Sequence, residues 1–240
     1  MAVSQPFRPI RGRRIFEEIL DQLEQAILDG HISAGDRLPP ERQLAEQFNA
    51  SRTSVREAVR VLEALGVAKV RAGAENGAVL VEEPGGALRL LLRFQLALRH
   101  ISIESVIEFR TALEPWAASA ASARATTEEL DRIRSVLAEM NADVGPEHFH
   151  QLDSEFHLEI ARAAQNELMV LVLEGARTSI ERIMLDALNH FPDWPETRAR
   201  LVAEHTQIVA AISAGEADEA ASLMQRHIGS FYDEVGLFRR

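Results

Sequence analysis

The stretch LPPERQLAEQFNASRTSVREAVRVLEALG, Leu38 to Gly66, constrains the fold more tightly than any other part of the chain. Pro39 and Pro40 close the preceding segment, and Glu41 opens a short helix with apolar positions at Leu44, Ala45 and Phe48. Asn49 and Ala50 break it, because asparagine accepts the left-handed turn conformation that most side chains resist. Ser51 caps a second helix with an apolar face of Val55, Ala58, Val59, Leu62 and Leu65, and Gly66 ends it. Opposite that stripe, Arg52, Thr53, Arg56 and Arg60 crowd towards the start of the second helix. A recognition helix needs this arrangement: its first turns enter the major groove, where arginine reads guanine edges and Ser or Thr holds phosphates.

The run GDRLPPERQLAEQFNASRTSVRE, ending at Glu57, resembles the winged-helix signature of GntR-type bacterial transcription regulators. The competing reading makes the arginines an ordinary solvated helix face. On the DNA reading, Arg52 and Arg56 reach base edges, Ser51 and Thr53 hold phosphates, and Arg42 reaches phosphate or base. After Gly66, VAKVRAGAENGAVLVEE alternates around a glycine-rich turn, which predicts a two-stranded wing over Val67–Arg71 and Ala78–Val81. Arg71 and Gly73 at its tip would lie against the backbone or minor groove, although Glu75 there repels phosphate.

Charge separates the chain into two parts. Net charge is −11, yet residues 1–80 hold 11 Lys+Arg against 11 Asp+Glu, so the acidity belongs to residues 81–240. A charge-balanced part bearing local basic surface, followed by an acidic part, indicates two jobs. There is no cysteine, which excludes disulfides and thiolate metal ligands. The N-terminal segment is basic without a signal peptide's apolar run, and no apolar stretch approaches 18 residues; the expectation is a cytoplasmic protein with no membrane partner.

Ile10 to Gly30 reads as a helix that precedes the central pair. The expected architecture is mainly α: a winged helix-turn-helix with a small β-wing over 1–82, a linker at 83–86, and an all-helical bundle over 87–240. In that bundle, helical spacing predicts seven segments, near 87–99, 103–124, 127–141, 146–164, 167–189, 195–214 and 216–237. Thr126 with Glu129 forms a capping box, Asn166 is a cap, and Pro195 a first-turn proline; Pro115 is expected to kink the second segment. The small-residue tract AASAASARA suits close helix approach.

Within HFHQLDSEFHLEIA, Asp153 and His157 stand four apart on one helical face, while His205 and His227 lie on the apolar faces of the last two helices. One Asp and three His directed into a bundle suit a divalent metal, zinc ahead of nickel or manganese; the alternative is histidines held by core hydrogen bonds. His150 lies on a similar face and can join or replace a ligand, whereas His148 and His100 are expected to be exposed.

Residues 86–240 resemble the all-helical effector domain of the FadR-like GntR subfamily, through FRTALEP, D-x-x-x-H, AQN and the two late histidines. The resemblance implies metal ligation by Asp153, His157, His205 and His227, with small organic acids as effectors and Arg110 meeting the effector's carboxylate. Arg110 can equally pair with Glu114 one turn later. The combined expectation is a homodimeric regulator of double-stranded operator DNA, controlled by a small carboxylate; a metal-dependent enzyme using the Asp/His site is the alternative.

Overall fold

The computed structural model describes residues 14–70, 77–81, 86–188 and 193–234, apart from the Arg89 side chain. The chain divides into two compact units, Met1–Ala87 and Leu88–Arg240.

In the first unit, α1 (Ile15–Leu28), α2 (Glu41–Gln47) and α3 (Arg52–Ala64) are followed by an antiparallel pair, β1 (Ala68–Val70) and β2 (Ala78–Leu80). Ala68 faces Leu80 and Val70 faces Ala78, and Arg37 adds an isolated bridge to Val79. The predicted turn between α2 and α3 forms as expected: Asn49 takes φ 48°, and the Ser51 hydroxyl accepts from Ser54 N at 3.1 Å. Gly66, at φ 70°, stops α3. Gly77 is the tightest position of the unit, since a Cβ there would lie 2.0 Å from the Leu38 carbonyl oxygen. Val55, Ala58, Val59 and Leu62 bury against Ile19, Leu23, Leu38 and Leu44. Burying four apolar side chains of α3 contributes several kcal/mol, at about 1.5–3 kcal/mol for each large one. Leu65 departs from the expected stripe and is 54% exposed, because it sits at the C-cap on the stripe's edge. The first residues of the predicted opening helix, before Arg14, and the wing tip with Arg71 and Gly73 lie outside the described residues.

The second unit contains seven helices among the described residues: α4 (Gly86–Ala97), α5 (Ile103–Arg124), α6 (Thr127–Met140), α7 (Pro146–Ala163), α8 (Glu167–Leu188), α9 (Trp194–Ala214) and α10 (Ala217–Glu234). Local signals set their ends. Ser102, Thr126 and Asp193 cap by side chain, the Asn166 carboxamide accepts from Met169 N, and Gly215 at φ 75° ends α9. Helix α5 continues through Pro115 and packs against α7, α8, α9 and α10. Its buried Ala117, Ala118 and Ala121 are the small-residue tract, and the absence of bulk there lets the neighbouring helices converge. Among the described residues, no helix is long and apolar enough to cross a membrane.

Candidate functional site

Two sets of side chains stand apart from the packing. The first is the outer face of α3. Its buried stripe fixes the helix's rotation, so Arg52, Thr53, Arg56 and Arg60 are all exposed. Both Nε and Nη2 of Arg56 approach Glu41 Oε2 at 3.0 Å. Arg42, exposed at the start of α2, pairs with Glu46 at 2.9 Å. Exposed pairs of this kind are worth about 0–1 kcal/mol, so either arginine can be drawn from its partner at little cost.

The second set is buried in the helical unit. Asp153, His157, His205 and His227 come together from α7, α9 and α10, each offering an atom within 4.8 Å of the others. His205 Nε2 lies 3.0 Å from His227 Nε2 and 3.4 Å from Asp153 Oδ1, and His157 Nε2 is 3.6 Å from Asp153 Oδ1. The three histidines are buried; of the four, only Asp153 keeps appreciable exposure, 21% of its side chain.

The outer ring nitrogens explain the orientation. His157 Nδ1 faces the Glu114 carboxylate, and His227 Nδ1 lies 2.6 Å from Glu204 Oε2. Each carboxylate favours a proton on Nδ1 and turns the Nε2 lone pair inward. Burial, with His227 alongside, pushes His205 down to about 3, and burial also lowers His227. Burial alone would raise Asp153, but His157, His205 and Arg177 outweigh it and hold its carboxyl well below the ordinary range. The lowered values of His205 and His227 favour neutral rings beside an ionised Asp153. This donor set fits a divalent ion, which requires neutral imidazoles and an ionised carboxylate. Donors each about 2.1 Å from one ion are at most about 4.2 Å apart, so the longest separation needs only a slight closing.

A layer of charge surrounds the cluster. Arg110 donates through Nε to Glu114 at 2.5 Å and through Nη1 to the Tyr232 hydroxyl. Arg177 donates to Asp153 Oδ2 at 2.7 Å, with Glu114 Oε1 3.5 Å away. Arg110 thus makes the pair with Glu114 and also lines the cavity beside the cluster, a concavity of about 510 Å³ with its mouth included. His150 is buried and lines the same cavity without joining the four-residue cluster, while His148 and His100 are exposed.

Arg177, Glu204 and Tyr232 were not anticipated from the sequence, and Glu114 only as a partner of Arg110. A signal existed for two of them. Arg177 falls on the stripe Leu173, Ile180, Met184, and Glu114 on the stripe Ile107, Ala117, Ala121; charge on an apolar stripe implies buried pairing.

Residues 15–75 match the family described as "Bacterial regulatory proteins, gntR family", and residues 105–230 match the FCD domain. The chain is 30% identical to the HTH-type transcriptional regulator LutR of Bacillus subtilis (strain 168), over 86% of this chain and 94% of that protein. It is 28% identical to the Uxu operon transcriptional regulator of Escherichia coli (strain K12), over 90% and 85% of the two chains. Among solved structures, Streptococcus agalactiae GntR superposes with a TM-score of 0.68 at 26% identity, covering 90% of this chain and 98% of its own. These relatives are named as regulators, so the enzyme reading of the Asp/His cluster gives way. With a helix-turn-helix and wing of the gntR type followed by an FCD domain, the chain belongs to the GntR family of DNA-binding transcriptional regulators.

Proposed function

We propose that the protein binds operator DNA as a two-fold homodimer and releases or tightens its grip when a small carboxylate occupies a metal-containing helical domain. Arg42, Ser51, Arg52, Thr53 and Arg56 make the DNA contacts, joined by Arg71 and Gly73 of the wing tip. The domain over residues 1–82 carries DNA binding, and that over 87–240 carries dimerisation and sensing. Asp153, His157, His205 and His227 hold the metal, with zinc ahead of nickel and manganese for three nitrogens and one oxygen. The metal would supply positive charge and open positions for a carboxylate, and Arg110 adds a guanidinium in the same cavity wall. The observation that carries this reading is the convergence of three buried imidazoles and the half-buried Asp153 carboxylate, each offering an atom within 4.8 Å of the others.

The ligand set is tested by mass spectrometry of metal content. Single alanine variants of Asp153, His157, His205 and His227 are expected to lose metal, and undiminished metal in all four would refute the assignment. Glu204→Gln keeps the ligands but removes the charge behind His227; competition with a chromophoric chelator should show metal affinity reduced by about 10–100-fold.

Dimerisation is supported by α4. Its inner residues Leu92 and Leu96 face α8 across Gly175, whereas Leu90, Leu91, Phe94 and Leu98 are 51–62% exposed. Three large apolar side chains exposed on α4 and a fourth, Leu98, just past its end suit a second copy, which the symmetry of an operator also requires. Phe94→Asp with Leu90→Asp is expected to yield a monomer by light scattering, with a folded circular dichroism spectrum; an unchanged dimer would place the interface elsewhere.

A further inference from the structure

We infer that Glu41 is a positioning residue that aims Arg56 at a base edge and withholds it from phosphate. This rests on the proposed DNA contact of Arg56 and names what makes that contact selective.

The pair joins the two helices of the helix-turn-helix. Glu41 is the first residue of α2, and Arg56, fifteen positions later, stands in the second turn of α3. Nε and Nη2 of Arg56 converge on one oxygen, Glu41 Oε2, each at 3.0 Å. Two contacts along one edge of a planar guanidinium set its direction as well as its place. The backbones behind the two side chains are fixed in turn: Leu44 anchors α2 and Val55 and Val59 anchor α3, all buried. The pair itself is open, with 55% of the Arg56 side chain and 36% of Glu41 exposed. Both line a concavity shared with Arg42, Arg52 and the wing residues Val70 and Gly77.

Charge decides what a guanidinium held in this way accepts. An unmatched arginine beside DNA goes to phosphate, because that attraction needs only opposite charge. Arg56 is already matched, so its field is largely cancelled at phosphate distance, and Glu41 itself repels phosphate. A guanine edge is neutral. Its N7 and O6 call for a well-aimed pair of N–H groups rather than for net charge. Glu41 takes the Nε–Nη2 edge, and the end fork of Nη1 and Nη2 is the one that a guanine uses. Although the pair is weak in water, a docked duplex excludes water and lowers the local dielectric, so the aim is firmest when DNA is bound. Arg42 lacks this arrangement, since its partner Glu46 lies one turn along the same helix.

The test is fluorescence anisotropy of the full-length protein with two duplexes of equal length, the promoter DNA flanking its own gene and a scrambled sequence. The ratio of the two affinities is the readout. Glu41→Gln is expected to bind the scrambled duplex about threefold tighter and the promoter duplex more weakly, so that the ratio falls about tenfold. Its salt slope on the scrambled duplex should steepen by about 1, because the released Arg56 takes up a phosphate. Adding Glu41→Gln to Arg56→Ala should leave the ratio where Arg56→Ala put it, since a positioning residue has no effect once its arginine is gone. A purely structural role would weaken both duplexes alike. An unchanged ratio in Glu41→Gln, or a further equal fall in the Arg56→Ala background, would overturn the proposal. If Arg56→Ala itself leaves the ratio unchanged, the proposed base contact fails and the inference fails with it; if Arg56→Ala lowers the ratio and Glu41→Gln does not, the contact stands and only the role of Glu41 falls.

Discussion

Glu114→Ala is expected to destabilise the helical unit by about 3–5 kcal/mol, the cost of stranding buried charge. Glu114 is 2% exposed and serves three groups: Arg110 at 2.5 Å, Arg177 at 3.5 Å and the outer nitrogen of His157. Arg110 and Arg177 face Glu114 and Asp153, so two guanidiniums stand against two carboxylates in the buried network. Removing Glu114 leaves one uncompensated guanidinium beneath α5 and frees the His157 ring. For a domain of this size, a loss of that magnitude lowers the unfolding midpoint by roughly 6–20 °C. Glu114→Gln keeps the volume and one acceptor and should lose less. A chemical denaturation midpoint for Glu114→Ala equal to wild type would show that the network is not stabilising.

Acid should act on the same residues in two stages. Burial opposes ionisation of Glu114, but Arg110, His157 and Arg177 outweigh it and hold its pKa well below 4.5. A depressed folded pKa means stability that is present above pH 4.5 and lost as pH falls towards the folded value. His205 begins earlier. Its folded value near 3 against 6.5 in the unfolded chain means that the metal-free protein loses stability progressively from pH 6.5 downward, as the unfolded state takes up the proton. Thermal midpoints of chelator-treated protein between pH 7 and 5 check the first stage, and a flat profile there would contradict a buried neutral His205.

Arg52→Ala and Arg56→Ala should each weaken operator binding by about 1–3 kcal/mol, and the double variant by close to the sum if the two contact separate bases. The reason is geometric. Val55 is 0% and Ala58 0% exposed, so α3 cannot rotate its arginines inward, and its N-terminal turns stand open to a groove. Each lost phosphate contact would also reduce the salt slope of binding by about 1. Arg226→Ala, at an exposed site in the helical unit, is the control and should bind like wild type. Fluorescence anisotropy with the DNA flanking the gene measures both; wild-type affinity and discrimination in the two α3 variants would move the reading surface away from this helix.

The helix boundaries were legible in the residues because they depend on neighbours in the chain. Thr126 with Glu129, the Asn166 carboxamide, Asn49 at positive φ, and the glycines after α3 and α9 act within four residues of themselves. Asp153 with His157 was legible for the same reason, being one turn apart. His205 and His227 were accessible through a weaker signal, polar side chains on otherwise apolar faces.

Helical spacing and capping residues alone set which stretches coil, where they stop, which face of each turns inward, and hence that a basic helix is held outward while histidines are carried into a core. Long-range packing is what sets Glu114 behind His157, Glu204 behind His227, and Arg177 against Asp153. Helical periodicity acts over a few residues, whereas these pairings join α5 to α7, α7 to α8 and α9 to α10. A charge has no preferred partner along the chain, and burial selects whichever opposite group the packing brings within reach.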